Sequence, residues 1–123
     1  MELLDRSQCT SQYTRYSSDS VANHASSYIA GATEPGVTLA GTLLNHSMTV
    51  AGVAKQLEVA RQLVKPDLPL ILGETNPLSN QSAPGISNTF GAALWGVDYA
   101  LYCASQDIKR VFMHQGTDYR YST

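Results

Sequence analysis

Glu74 is the residue of this chain best placed to do chemistry. The segment 68–96, LPLILGETNPLSNQSAPGISNTFGAALWG, sets one carboxylate after an apolar run. A carboxylate on a stiff strand suits a nucleophile or a base. In parallel α/β folds, active sites gather at the C-terminal ends of the strands. The plain alternative is that Glu74 only leaves the core and caps a loop, and position alone does not choose between the two. Ser87 is a weaker candidate. Gly85-Ile86-Ser87-Asn88-Thr89 misses the G-x-S-x-G elbow at its last residue. It also lies too far after the apolar run for a tight strand–turn–helix. Ser87 or Asn88 is better read as the cap of the next helix. No phosphate-binding loop or G-x-G-x-x-G string is present, so no cofactor is expected. Cys9 and Cys103 fit neither zinc spacing nor a disulfide scaffold, so no metal site is expected either. Cys103 reads as a small buried hydrophobe, and His24 as a structural histidine.

These residues need elements to hold them. Val50, Val53, Ala54, Leu57, Ala60 and Val64 recur at helical spacing, with Lys55, Glu58, Arg61 and Gln62 mostly opposite. That pattern predicts an amphipathic helix from Thr49 to Val64, stopped by Pro66. LPLILG predicts a strand apolar on both faces, ending at Glu74. The following helix carries Phe90, Leu94, Val97 and Leu101 on one side, and IKRVFMHQ predicts another strand. Upstream, residues 21–31 give a weak strand signal, and Glu34-Pro35-Gly36 marks a turn. Residues 1–20 are polar and are expected to form a poorly ordered arm or a frayed helix. The resulting order, strand–helix–strand–helix–strand, has strands starting near residues 28, 70 and 108. It predicts an α/β fold of parallel βαβ units. Three strands cannot close a barrel; they form a small open sheet or one arc of something larger.

Composition narrows the function classes. The chain has 123 residues, 43% hydrophobic, with a net charge of −2. One domain of this size can bury roughly two-thirds of its unfolded surface. The small charge gives no electrostatic reason to expect nucleic acid or an anionic membrane. The most apolar segment, Phe90 to Ala104, is interrupted by Asp98, and no transmembrane helix is expected. The start, MELLDRSQCTSQ, does not read as a signal peptide. Two sequons occur, Asn45-His46-Ser47 and Asn80-Gln81-Ser82, compatible with a secreted parent protein.

The string from Leu72 to Ser122, LGETNPLSNQSAPGISNTFGAALWGVDYALYCASQDIKRVFMHQGTDYRYS, resembles the C-terminal part of the catalytic barrel of glycoside hydrolase family 79. YIAGATEPGVTLAGTLLNHSMTV upstream is similar as well, so the likeness covers about residues 20 to 123. The fungal β-glucuronidase-like branch is the nearest in pattern. The resemblance implies a partial (β/α)8 TIM barrel, strands 6 to 8 with their helices. It makes residues 21–123 an incomplete hydrolase domain. It implies a retaining mechanism in which the glutamate of GETN, Glu74, is the nucleophile. Such a nucleophile works with a second, protonated carboxyl about 5 Å away.

The same resemblance assigns sugar contacts to Tyr28, Asn76, His114, Gln115, Gly116 and Tyr119, with Arg120 as a further candidate for a uronate carboxylate. Tyr28 would steady the nucleophile through its hydroxyl. Ser79 stands where fungal relatives often have Tyr, which removes one expected substrate contact. The acid/base glutamate belongs to a GNEP-like motif on the fourth strand. This chain offers only Glu34 in ATEPG, about one βα unit before Glu74 instead of three. Glu2 and Glu58 fit no better. The expectation is a fragment of a hydrolase acting on β-glucuronides or glucuronic-acid-containing glycans, inactive alone for lack of its acid/base. The alternative is a non-catalytic sugar-binding or truncated-gene remnant.

Overall fold

A computed structural model describes residues 13–16, 20–30, 35–63, 69–79 and 83–114. Four strands form one sheet in the order β1-β2-β3-β4: β1 (Tyr13–Tyr16), β2 (Ser20–Ala30), β3 (Leu70–Leu78) and β4 (Arg110–Met113). β1 runs antiparallel to β2, while β2, β3 and β4 are mutually parallel. A parallel pair needs a long crossover. The two crossovers contain α1 (His46–Leu63) and α2 (Phe90–Ser105). The expected βαβαβ order is therefore present. β2 begins earlier than residue 28, and β1 lies inside the stretch expected to be an arm. Val64 and Pro66 fall outside the described residues.

α1 follows its pattern. Val53 and Ala60 are buried, and Lys55, Glu58, Arg61 and Gln62 are exposed. The helix starts at His46, earlier than Thr49, because Asn45 caps it: its Oδ1 accepts from the Ser47 N–H at 3.1 Å. Before it, Gly36 takes φ +86 in the expected turn. A short π-helical turn, Leu39–Leu43, then follows, capped by Thr38 Oγ1, which accepts from the Gly41 N–H at 3.0 Å.

α2 differs from expectation twice. Its cap is Thr89, not Ser87 or Asn88. Thr89 has extended backbone, and its Oγ1 accepts from the Ala92 N–H. Asn88 Oδ1 instead accepts from the Gly85 N–H at 2.7 Å. Second, the side bearing Phe90, Leu94, Val97 and Leu101 faces outward, with Phe90 78% and Leu101 67% exposed. Ala92, Trp95, Tyr99 and Cys103 face the core instead. The helix is apolar nearly all round, so hydrophobic periodicity could not decide which face the sheet would take. Gly91 lets the Leu39 side chain sit against α2, where a Cβ would meet it at 2.8 Å.

The core joins Leu43, Val53, Leu72, Leu78, Ala92, Trp95, Tyr99, Cys103 and Ile108. Trp95 and Tyr99 stack with centroids 5.0 Å apart. α1 and α2 pack on each other and are joined at the rim, where His46 Nδ1 lies 2.8 Å from Asp98 Oδ1. The Tyr102 ring meets His46 edge-on at 5.3 Å. Both members of that ion pair are substantially solvated, so it sets orientation more than stability. No helix among the described residues is long and apolar enough to cross a membrane.

Three predictions follow from this packing. Trp95→Ala should lose about 3–5 kcal/mol in urea unfolding. Replacing Phe90 and Leu101 together by Gln should change stability by no more than about 0.5 kcal/mol while reducing light scattering on concentration. The third prediction concerns Cys103, whose burial pushes its thiol up to about 11, partly opposed by a hydrogen bond with Tyr99. The unfolded chain ionises this thiol first, so stability should fall as pH rises from 9.0 toward 11 and be untouched by this group below that window. The urea midpoint of the wild type should accordingly drop more steeply over that range than that of Cys103→Ala.

Candidate active site

β3 was expected to end at Glu74. It continues to Leu78, because β2 reaches Ala30 and keeps pairing with it through Tyr28↔Asn76 and Ala30↔Leu78. β4 is shorter, and its ladder with β3 stops at Thr75↔Met113. Glu74 therefore sits one residue before Thr75, the last residue of β3 paired on both edges. Its neighbour on β2 is Ser26.

Both ladders are irregular at that level. Between Asn23 and Ser26, β2 carries one residue more than β3 does between Leu72 and Glu74. Between Leu72 and Thr75, β3 carries one residue more than β4 does between Val111 and Met113. Bulges bend a strand, raise its local twist and re-aim side chains, and they concentrate next to active sites. Here one lies on β2 next to Glu74, and Glu74 itself is part of the other. Its side chain is half-buried, while Thr75 beside it is fully enclosed. The Thr75 hydroxyl finds no hydrogen-bond partner among the described residues.

The ends of β3 and β4 are also tied together. The His114 N–H donates to the Thr75 carbonyl at 3.1 Å. Asn76 Nδ2 donates to the His114 carbonyl at 2.9 Å. Of the residues expected at the site, Asn76 and His114 thus come together, and Glu74 lies two residues before Asn76 on the same strand. Tyr28 lies on the neighbouring strand, in register with Asn76. Gln115, Gly116, Tyr119 and Arg120 lie outside the described residues, as do Glu2 and Glu34. His24 falls within the β2 bulge. Ser79 follows the end of β3 and is half-buried. The bulges and the Thr75–His114 link are the parts of the site that sequence reasoning did not find. They arise from the relative lengths of neighbouring strands and leave no local signature.

The other carboxylates among the described residues are engaged elsewhere. Glu58 accepts from Gln62 Nε2 at 3.0 Å, Asp98 pairs with His46, and Asp107 pairs with Lys109. Among the described residues no group of three or more His, Cys, Asp or Glu side chains could hold a metal ion. Ser87 is 1% exposed, its Oγ donating to the Ala83 carbonyl at 3.0 Å and accepting from the Ala83 N–H at 2.9 Å. It is a buried loop clasp, which removes it as a nucleophile.

No protein-family model matches the chain. Among curated proteins, it is 60% identical over 103 residues to a protein of Aspergillus niger named β-glucuronidase, covering 80% of this chain and 19% of that protein. It is 61% identical over 99 residues to a protein of Neurospora crassa with the same name, covering 78% of this chain and 18% of that one. A match of this length within 123 residues includes Glu74 wherever it starts. The chain is thus a close relative, spanning about a fifth of the length, of fungal proteins named β-glucuronidase.

The Ser87 geometry gives a direct expectation. Ser87→Ala should destabilise the chain by about 1–3 kcal/mol, because it strands the buried Ala83 N–H. A fluorophosphonate should leave Ser87 unmodified in the native chain, as read by intact mass.

Proposed function

We propose that this chain is the nucleophile-bearing part of a retaining hydrolase of β-glucuronides. Glu74 attacks the anomeric carbon as the glycosidic bond breaks and the aglycone oxygen leaves with a proton from the acid/base carboxyl, and it holds the glycosyl group as an ester until water, giving its proton back to that carboxyl, releases it. The observation that carries this reading is the place of Glu74. It is a half-buried carboxylate within a bulge of β3 and beside a bulge of β2, one residue before the β3–β4 ladder ends. A carboxylate so held is aimed by backbone geometry and not by a flexible loop, as a nucleophile in fixed register with a sugar requires. The names of the relatives that match across Glu74 supply the substrate class.

On this reading the parallel strands β2, β3 and β4 are strands 6, 7 and 8 of a (β/α)8 barrel, and α1 and α2 belong to its outer helices. β1 is not a strand of that barrel, since it runs antiparallel. Tyr28 and His114 belong to the strand ends nearest Glu74, and the resemblance adds Gln115, Gly116 and Tyr119 as sugar contacts. The acid/base carboxyl comes from a part of the fold that precedes these strands. The protein with its acid/base would need no metal or organic cofactor, because two carboxyls suffice for both half-reactions.

An aryl β-glucuronide assay tests this proposal. The 123-residue chain should show no turnover. The same segment within a polypeptide of its relatives' length should turn over, and Glu74→Gln there should lower kcat by about 10⁴-fold or more. Turnover that survives Glu74→Gln would remove Glu74 as the nucleophile. A glucuronide-configured cyclophellitol-type probe should label Glu74 in the longer polypeptide, located by peptide mass spectrometry.

A further inference from the structure

We propose that Asn76 is a positioning residue whose side-chain amide replaces the ladder hydrogen bond that Pro77 cannot make, and so fixes the end of β4 beside Glu74. In a parallel ladder, a residue on one strand donates its N–H to the residue before its partner and accepts from the residue after it. The N–H of His114 donates to the Thr75 carbonyl, which puts His114 in register with Asn76, one step past Thr75↔Met113. The His114 carbonyl should then accept from the N–H of residue 77. Residue 77 is proline, which has none. The donor that reaches the carbonyl instead is Asn76 Nδ2, at 2.9 Å.

Asn76 is only 6% exposed, and this bond takes one of the two N–H donors of its amide. An asparagine followed by a proline therefore ends the ladder while leaving no orphan carbonyl there. His114 is held at both its N–H and its carbonyl by consecutive residues of β3. This assigns Asn76 a role other than the substrate contact expected from the resemblance. Its catalytic consequence rests on Glu74 being the nucleophile, but the clamp itself does not.

The test is a double-mutant cycle, because Pro77→Ala returns the missing backbone N–H. In the 123-residue chain, Asn76→Ala should speed hydrogen exchange of the His114 amide by about tenfold, with Leu72 unchanged. The carbonyl carbon of His114 should shift upfield as its hydrogen bond is lost. With Pro77→Ala already present, Asn76→Ala should change His114 exchange by less than about twofold. Equal effects in both backgrounds, or no effect in either, would overturn the clamp. If Asn76→Ala alone fails to fold, recovery of the fold on adding Pro77→Ala supports the proposal, and failure to recover overturns it. The probe arm uses the longer polypeptide. Asn76→Ala should slow labelling of Glu74 by about tenfold, and Pro77→Ala should recover most of that loss. Recovered exchange without recovered labelling would mean that Asn76 touches the sugar, which overturns the positioning role. Absence of labelling in the wild type would count against the glucuronide reading alone, and the exchange cycle would still decide the clamp.

Discussion

Hydrogen bonding of β3 along both of its edges is the constraint on which the rest of this structure depends. A strand with parallel neighbours on both sides requires two crossovers, and α1 and α2 lie in them. Its apolar side chains Leu72 and Leu78 then anchor a core completed by Val53, Trp95, Tyr99 and Cys103. The ladders also set where chemistry can sit. β2 follows β3 to its end, but β4 leaves it at Thr75, so one edge becomes free just past Glu74. The free edge, the bulges and the clamp of Asn76 on His114 all lie within one turn of the pleat.

The same constraint explains a mismatch in α2. This helix is apolar on the side that packs against β3 and also on the opposite side, where Phe90, Leu94, Val97 and Leu101 stand in solvent. A helix apolar all round is built for burial all round. In this chain only one side is covered, by the sheet and by α1. The relatives are more than four times as long as this chain. β4 shows a related imbalance, with Phe112 and Met113 exposed on the outer strand of the sheet.

Much of the architecture was legible locally. The βαβαβ order followed from apolar runs of strand length alternating with helical periodicity, and α1 kept its buried and solvated sides because its charges lie on one face. Where apolar residues surround a segment, as in α2, periodicity gave the element but not its orientation. The cap at Thr89 was missed because Ser87, Asn88 and Thr89 are all good capping residues. Only the folded loop shows that Ser87 is spent on Ala83 and Asn88 on Gly85. The strand Tyr13–Tyr16 was missed because a short edge strand needs a partner already in place, and that partner, β2, is itself weakly signalled.

The sequence by itself determined that Glu74 would emerge from a buried parallel strand, since an apolar run bounded by turn residues can hardly do otherwise. It also determined the kinship to β-glucuronidases, through a long string of side chains that chance does not reproduce. Only the tertiary structure decided that Glu74 lies within its strand and not at its tip, because the length of β3 is set by how far β2 extends. Only the fold, likewise, gave Asn76 and Pro77 their joint meaning. A proline lacks a donor everywhere, but that lack matters only where a neighbouring carbonyl, here that of His114, is left waiting for one.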